Sequence, residues 1–167
     1  MNIEEKKIIE KIKEIAKVST KFPDGRIDYS KADTAIVLTV FVQYRDEILL
    51  LKRSDKVGTY KGLWNTVTGY LDEARPIIEK IKEELREELD IDFNIIESYS
   101  FGKSFQFTDS KINKTWIVYP ARIKLKQKPE IKLDWEHIEY IWIKPEDMKK
   151  YKTVPNLHLS LERGLLI

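Results

Sequence analysis

The chain of 167 residues contains no cysteine. A protein without cysteine has no disulfide, no thiolate nucleophile and no cysteine-ligated zinc. It also lacks a long hydrophobic run, because the most apolar stretch, residues 35–42, is far shorter than the roughly 20 residues of a membrane-spanning helix. Residues 1–17 have no continuous apolar segment of the kind found in secretory signals. These absences predict a soluble protein of the cytoplasm.

The chain has little excess of either charge, with a net charge of +2 from 30 basic and 28 acidic residues. Lysine alternates with glutamate along the sequence, so there is no cluster of basic residues that would indicate specific nucleic-acid binding. Its hydrophobic fraction of 42% is that of an ordinary globular protein. We find no internal repeat and no low-complexity linker, and we therefore expect one globular domain with a small-molecule partner.

The first 30 residues are predicted to form an extension, and residues 31–167 the main domain. Isoleucines at helical spacing over residues 3–17 predict an amphipathic helix, and Phe22-Pro23-Asp24-Gly25 predicts a turn. The apolar side of this helix could pack on its own domain or on a partner. A monomer and a homodimer therefore both remain open.

The main domain shows strand patterns interrupted by helical ones. Strands are predicted over 34–43, 47–53, 63–69, 91–108, 115–125 and 139–143, and helices over 76–89, from 145 and after Pro155. This order indicates an α/β or α+β sandwich.

The helix predicted over residues 76–89 carries the most informative pattern. At about 100° per residue, the apolar side chains of Ile77, Ile78, Ile81, Leu85 and Leu89 form one stripe. On the same wheel, Glu88 lies inside this stripe, Glu84 lies at its edge and Glu87 flanks them.

A solvent-exposed charged face is the ordinary explanation for a glutamate-rich helix, and it accounts for Glu79 and Glu83. It does not account for Glu88, because a carboxylate on an apolar stripe is costly unless a cation compensates it. Glu84 and Glu88 also place like charges one turn apart. Clustered carboxylate oxygens are the ligands of hard divalent ions such as Mg²⁺, which also bind phosphate. The helix therefore predicts a metal site.

Residues 69–91, GYLDEARPIIEKIKEELREELDI, resemble the Nudix box. Gly69 matches its opening glycine, and its closing pattern is matched by Glu84, Leu85, Glu87, Glu88 and Ile91. The preceding SDKVGTYKGLWNTVTG and the later DWEHIEYIWIKPEDM are similar to the segments that flank the box in the family. The resemblance extends over roughly residues 34–165.

Three positions depart from the box. Arg75 stands where the family has its early glutamate, Glu83 stands where it has arginine, and Asp90 replaces the late glycine. We expect Arg75 and Glu83 to form an ion pair with reversed signs, which requires the loop to fold back onto the helix. Asp72 and Glu73 could supply the acidity of the missing early glutamate.

The resemblance implies a Nudix-type α/β/α sandwich with a mixed sheet, and an enzyme that cleaves the diphosphate linkage of a nucleoside diphosphate derivative with Mg²⁺ or Mn²⁺. By motif match, Glu84, Glu87 and Glu88 are the metal ligands and catalytic residues. Glu136 is the predicted loop acid that orients or deprotonates a water. The predicted substrate-binding residues are Arg53, Lys61, Trp64 and Gly69.

Further side chains are weaker hypotheses. Lys56 and Lys103 are possible phosphate contacts, and Phe105, Trp116, Trp135 and Trp142 are possible base-stacking residues, although most such aromatics belong to a core. His137 is interpreted as a packed residue at a strand end, and His158 as structural.

Two other functions remain open at the level of sequence. The first is a nucleotide-binding or regulatory module on the same fold, which the altered Arg75 and Glu83 favour and the intact Glu84, Glu87 and Glu88 oppose. The second is isopentenyl diphosphate isomerase, a minor alternative because the family's usual isomerase relies on a catalytic cysteine that this chain lacks.

Overall fold

The computed structural model describes residues 1–165, which form one eight-stranded sheet with helices on both faces. The strands are β1 (Thr34–Tyr44), β2 (Glu47–Arg53), β3 (Trp64–Asn65), β4 (Val67–Tyr70), β5 (Ile96–Phe101), β6 (Phe105–Asp109), β7 (Lys114–Leu125) and β8 (His137–Ile143). The helices are α1 (Ile3–Ala16), α2 (Ile77–Leu89) and α3 (Leu157–Leu165), with short 3-10 helices at Phe93–Ile95 and Pro145–Lys150. Within residues 1–165, no helix has the length and apolar character needed to cross a bilayer.

The sheet is mixed, as the sequence predicted. Its main path runs β3-β2-β1-β7-β5, while β4 pairs with β1, β6 with β7 and β8 with β2. The central pair, β1 and β7, is parallel over residues 34–43 and 115–124, and the other pairs are antiparallel. Seven side chains of β1 are buried, five of them in a row from residue 38 to residue 42, so both faces of this strand are covered.

Alternating side chains of β1 supply two hydrophobic clusters. Val40 and Val42 pack with α1 and α2, whereas Phe41 between them packs with α3. Successive side chains of a strand point to opposite faces, so α1 and α2 cover one face of the sheet and α3 covers the other. The predicted sandwich with an N-terminal helix is confirmed.

Helix α1 packs on its own domain. Ile8 and Ile12 are almost fully buried in the cluster that includes α2, and the Glu5 carboxylate accepts a hydrogen bond of 3.0 Å from the backbone N–H of Ile77. Pro76, at the N-cap position of α2, provides no side-chain cap. The first helix thus supplies the cap that the second lacks. The predicted boundary at residue 30 stays a prediction.

The prediction of one strand over residues 91–108 was wrong. The chain forms the 3-10 helix, then β5 and β6, which pair with different parts of β7. The break contains Gly102, where an added Cβ would lie 3.0 Å from the carbonyl carbon of Arg163. Close packing against α3 therefore interrupts the strand.

The predicted strand over residues 63–69 is also divided, at Thr66. On one side of this residue β3 pairs with β2, and on the other β4 pairs with β1. The buried Thr66 hydroxyl donates to the carbonyl of Val40 at 2.9 Å and lies 3.3 Å from that of Leu49. It satisfies the backbone where the chain changes partners.

Candidate metal centre

Helix α2 presents an apolar stripe to the sheet, as its periodicity predicted. Ile77, Ile81, Leu85 and Leu89 are at most 1% exposed. Glu88 is also 1% exposed and Glu84 is 8% exposed, whereas Glu87 is exposed to solvent. The helical wheel therefore predicted correctly that Glu84 and Glu88 lie on the buried side of the helix and that Glu87 flanks them.

Gly69 lies on β4 directly beneath Glu84. A Cβ atom at this position would be 2.6 Å from the Glu84 carboxyl carbon, so a larger residue would push that side chain away. The Glu84 carboxylate forms an ion pair of 2.9 Å with Lys80, one turn earlier in α2. Burial raises the pKa of Glu84 to about 7, even though Lys80 acts to lower it. Gly69 thus makes room for a carboxylate that is costly to ionise.

No lysine or arginine among residues 1–165 forms a close ion pair with Glu88, although Arg53 lies near enough for their charges to interact. Neither of its carboxylate oxygens accepts a hydrogen bond, and the nearest ring nitrogen, His137 Nε2, is 3.8 Å from Oε1. Burial raises the pKa of Glu88 well above its usual value, and the carboxylates of Glu84 and Glu136 raise it further. A buried acid of this kind either holds a proton or requires a bound cation.

Three potential ligands converge at this point. One ligand atom each from Glu88, Glu136 and His137 lies within 4.8 Å of the other two. Glu136 is half-buried, and its pKa is raised by burial and then by the nearby Asp134. The group is able to hold a metal ion.

The segment that carries Glu136 is fixed to the end of β2. The backbone N–H of Ser54 donates to the Glu136 carbonyl at 2.7 Å, and the Ser54 hydroxyl donates to the Trp135 carbonyl at 2.9 Å. Asp134 accepts from the Glu136 N–H at 3.2 Å. These bonds bring a residue just before β8 to α2, although nearly 50 residues separate them in sequence.

The acidic group opens into a cavity of about 460 Å³. Glu84, Glu87 and Glu136 line it, while Glu88 lies beneath the surface. Its lining also includes a set of aromatic rings, namely Tyr60, Tyr70, Phe105, Phe107, Trp116 and Trp135. The cavity therefore joins carboxylates to surfaces on which a planar group can stack.

Two arginines also line the cavity. Arg53 lies half-buried, its Nε donates to the Thr59 carbonyl at 3.0 Å, and burial lowers its pKa while Glu136 acts in the opposite sense. Arg26 comes from the N-terminal extension and lies 3.5 Å from the buried carboxylate of Asp72. Guanidinium groups at these positions can contact the oxygens of a phosphate.

The reversed ion pair expected from the sequence is present on the outer face of α2. Arg75 Nη2 lies 2.6 Å from Glu83 Oε2, and Glu73 and Glu79 lie 3.6 and 3.8 Å from the same guanidinium. The loop folds back onto the helix as this pair requires. Asp72, expected to supply acidity, lines the cavity.

Asp90 ends α2 in the left-handed conformation, with φ of 54°. Its N–H bonds to the Arg86 carbonyl, and the N–H of Ile91 bonds to the Leu85 carbonyl at 3.1 Å. This is the helix end at which glycine is most common, and aspartate tolerates it better than most residues. The substitution therefore keeps the backbone geometry of the box.

The structure brings together most of the predicted site residues but not all. Lys61 is an exposed turn residue, and Trp64 packs edge-on against Tyr151 with ring centroids 5.4 Å apart. Neither lines the cavity, and the role of these two residues in substrate binding stays a prediction. Lys56, Lys103 and Trp142 also lie outside its lining, whereas Phe105, Trp116 and Trp135 belong to it.

Several lining or positioning residues were missed. Lys80 could have been found from its spacing, because it precedes Glu84 by four residues on one helix. Asp134, three residues before His137, has the spacing of a local side-chain contact. Arg26 and Tyr70 have no local signal, since the fold of distant segments places them at the cavity.

The sequence that forms this fold and its acidic helix is similar to a known protein family. The family model described as NUDIX domain matches residues 31–162. The chain belongs to the Nudix family. Among its curated Nudix relatives, the nucleoside triphosphatase NudI of Escherichia coli is 25% identical over 120 residues, covering 69% of this chain and 85% of that protein.

Solved structures show the same Nudix fold. A MutT protein from Methanosarcina mazei superposes with a TM-score of 0.64 at 24% identity, covering 80% of this chain and 94% of that one. An Ap4A hydrolase from C. elegans superposes with a TM-score of 0.62 at 18% identity, covering 77% and 93%. Members of the family hydrolyse nucleotide derivatives, and the acidic helix described above is the segment that matches the Nudix box.

Proposed function

We propose that this protein is a cytoplasmic pyrophosphohydrolase that cleaves the diphosphate linkage of a nucleoside diphosphate derivative, with Mg²⁺ or Mn²⁺ held by Glu84, Glu87 and Glu88. The observation that carries the proposal is the state of Glu88. Its carboxylate is buried beside Glu136, which lines the cavity, and neither of its oxygens has a hydrogen-bond partner among residues 1–165.

The residues fit a divalent cation. Glu84 and Glu88 lie on successive turns of α2, and Glu87 extends the acidic surface into the cavity. Clustered carboxylate oxygens are suited to hard divalent ions. When bound, the ion would neutralise the diphosphate and lower the pKa of a water that attacks phosphorus.

Glu136 is the proposed base. It lies beside Glu88, lines the cavity and has a raised pKa, so near neutral pH its carboxylate can accept a proton more readily than an ordinary glutamate. Its position is held by Ser54 and Asp134. These groups would keep the carboxylate directed at a water near the acidic helix.

Arg53 and the aromatic lining are the proposed substrate contacts. Arg53 lies close enough to Glu136 for their charges to interact, and it lines the same cavity. Tyr70 and Trp116 stack with ring centroids 6.4 Å apart, which provides a surface for a nucleobase. The nucleoside triphosphatase of Escherichia coli and the Ap4A hydrolase of C. elegans both bear names that specify nucleotide substrates, in support of this substrate class.

The direct test is a hydrolysis screen of wild type and Glu88→Gln with Mg²⁺ and with Mn²⁺. The substrates are nucleoside triphosphates, ADP-ribose, dinucleoside polyphosphates and nucleotide sugars. We expect wild type to hydrolyse at least one of them, and Glu88→Gln to lower kcat by roughly 10²- to 10³-fold, as expected when an electrostatic contact to the transition state is lost.

Glu79→Gln is the matched control, because Glu79 is an exposed glutamate on the outer face of the same helix. We expect it to retain activity within about twofold of wild type. Hydrolysis that survives Glu88→Gln would contradict the proposed metal site. Nucleotide binding without hydrolysis of any substrate would instead support a binding module.

A further inference from the structure

His137 is buried next to Glu88, and 4% of its surface is exposed. Its Nε2 atom has no hydrogen-bond partner among residues 1–165, and the same is true of both carboxylate oxygens of Glu88. Buried polar atoms in folded proteins almost always have partners. The Nε2 atom of His137 and the two carboxylate oxygens of Glu88 are therefore available to bind a ligand that is not part of the chain.

Asp134 determines which ring nitrogen of His137 faces Glu88. Its Oδ1 atom lies 3.3 Å from His137 Nδ1, so the proton of a neutral ring belongs on Nδ1, where it can be donated. Nε2 then carries a lone pair. A carboxylate that holds the outer nitrogen of a histidine is the usual support of a metal-binding imidazole.

A direct bond between His137 and Glu88 does not explain the arrangement. Nε2 and Oε1 are 3.8 Å apart, which is too long for a hydrogen bond. With the proton on Nδ1, Nε2 and an ionised Glu88 carboxylate are both acceptors. Two ligand atoms that each lie about 2.1 Å from one shared ion can be at most about 4.2 Å apart, so this pair is within reach of a single metal.

We propose that His137 is a nitrogen ligand that binds a divalent metal together with Glu88, beside Glu136, and that it makes the centre favour transition metals over Mg²⁺. Imidazole nitrogen suits nickel, zinc and similar ions, whereas Mg²⁺ prefers oxygen ligands. This inference rests on the proposed function, because Glu88 is a metal ligand in both.

The chain contains only two histidines. A nitrogen signal from a bound metal can therefore be assigned to one of them. Electron spin-echo spectroscopy of Mn²⁺ bound to the full-length protein detects nitrogen that is directly coordinated. We expect a ¹⁴N modulation in unlabelled protein, and its replacement by a ¹⁵N signal when only histidine is labelled. Absence of nitrogen modulation in wild type would overturn the proposal, and this measurement needs no substitution that could impair folding.

Variants then assign the nitrogen to one residue. His137→Gln should abolish the modulation, whereas His158→Gln should retain it, because His158 is exposed on α3 and does not line the cavity. A modulation that persists in His137→Gln would overturn the assignment. Calorimetry should show that His137→Gln weakens Ni²⁺ binding by about 10- to 100-fold and Mg²⁺ binding by less than about threefold.

Asp134→Asn tests the supporting contact. It keeps the size of the side chain but weakens the charge that holds the imidazole, and we expect Ni²⁺ binding to fall by about tenfold. Equal weakening of Ni²⁺ and Mg²⁺ by His137→Gln would contradict the proposed selectivity.

The hydrolysis screen run on the same samples separates the two proposals. Nitrogen modulation in a protein that hydrolyses no substrate supports His137 as a ligand and removes the hydrolase proposal. Hydrolysis without nitrogen modulation overturns the role of His137 alone.

Discussion

Helix α2 places glutamates on two faces, and their surroundings differ. On the inner face, Glu88 is buried without a partner and Glu84 has only Lys80. On the outer face, Glu79 and Glu83 are half-exposed, and both lie within 4.0 Å of Arg75. The same residue type is therefore left without a close cationic partner at Glu88 and is paired with arginine on the outer face.

The difference separates a carboxylate that is available to a ligand from carboxylates that are paired within the fold. An outer ion pair works with either sign, which explains how Arg75 and Glu83 can reverse the usual charges of the Nudix box. Glu88 on the inner face allows no such exchange, because no lysine or arginine among residues 1–165 forms a close ion pair with it. The effect of a departure from the Nudix box therefore depends on whether the residue lies on the inner or the outer face of α2.

The largest expected effect is a loss of stability of the metal-free protein as the pH rises. The folded pKa of Glu84 is about 7 against a usual 4.5, so the folded state holds the extra proton between these values. The contribution of Glu84 to the free energy of unfolding is complete below about pH 4.5. It is lost as the pH rises through 7, and the loss is on the order of 3 kcal/mol. Urea denaturation of wild type and Glu84→Gln in a chelating buffer measures this as the difference between the two pH profiles. Parallel profiles would contradict it.

Replacing the unpartnered carboxylate should stabilise the metal-free protein. Glu88→Met removes a buried charge and keeps the volume, and we expect the free energy of unfolding at pH 8 to rise by about 2 kcal/mol. Glu83→Met removes a paired, half-exposed charge and should lower it by about 0.5 kcal/mol. If both substitutions shifted stability in the same direction, the contrast between the two faces would be lost.

Charge reversal on the outer face should have a smaller effect that is partly recoverable. Arg75→Glu places a carboxylate among Glu73, Glu79 and Glu83, and we expect a loss of about 1 kcal/mol. Adding Glu83→Arg should recover about 0.5 kcal/mol, which thermal denaturation of the single and double variants can resolve. A double variant no more stable than Arg75→Glu would show that the pair is not coupled.

The smallest expected effect lies at the end of the helix. Asp90 has a φ of 54°, so Asp90→Gly should relieve strain and raise the free energy of unfolding by about 0.5 kcal/mol. Asp90→Ala is the control, since alanine keeps the Cβ atom but lacks the polar side chain, and it should lower stability. Equal responses to glycine and alanine would argue against a conformational cause.

The site helix could be predicted from sequence because its pattern is local. Burial of Glu84 and Glu88 follows from their angles relative to Ile81 and Leu85, and neighbouring turns suffice to establish it. The pairing of Arg75 with Glu83 was predicted from complementary charges at two positions of a recognisable motif. These features depend on residues within about two turns of one another.

The remainder of the site depends on contacts between distant segments. Trp64 and Trp116 both lie in strands, and only the packing of each strand decides that Trp116 lines the cavity while Trp64 packs on Tyr151. The break at Gly102 arises from Arg163, which lies in the last helix. No periodicity in the neighbouring sequence carries that information.

The bond from Ile77 to Glu5 has a consequence for the order in which the protein assembles. It closes a loop of 72 residues, and such a contact forms only after the entropy of bringing the ends together has been overcome. The start of the acidic helix is therefore completed by the docking of the N-terminal helix and not by its own turn. The placement of Glu84 and Glu88 on this helix therefore depends on the docking of α1, which makes the N-terminal helix a part of the assembly of the acidic cluster.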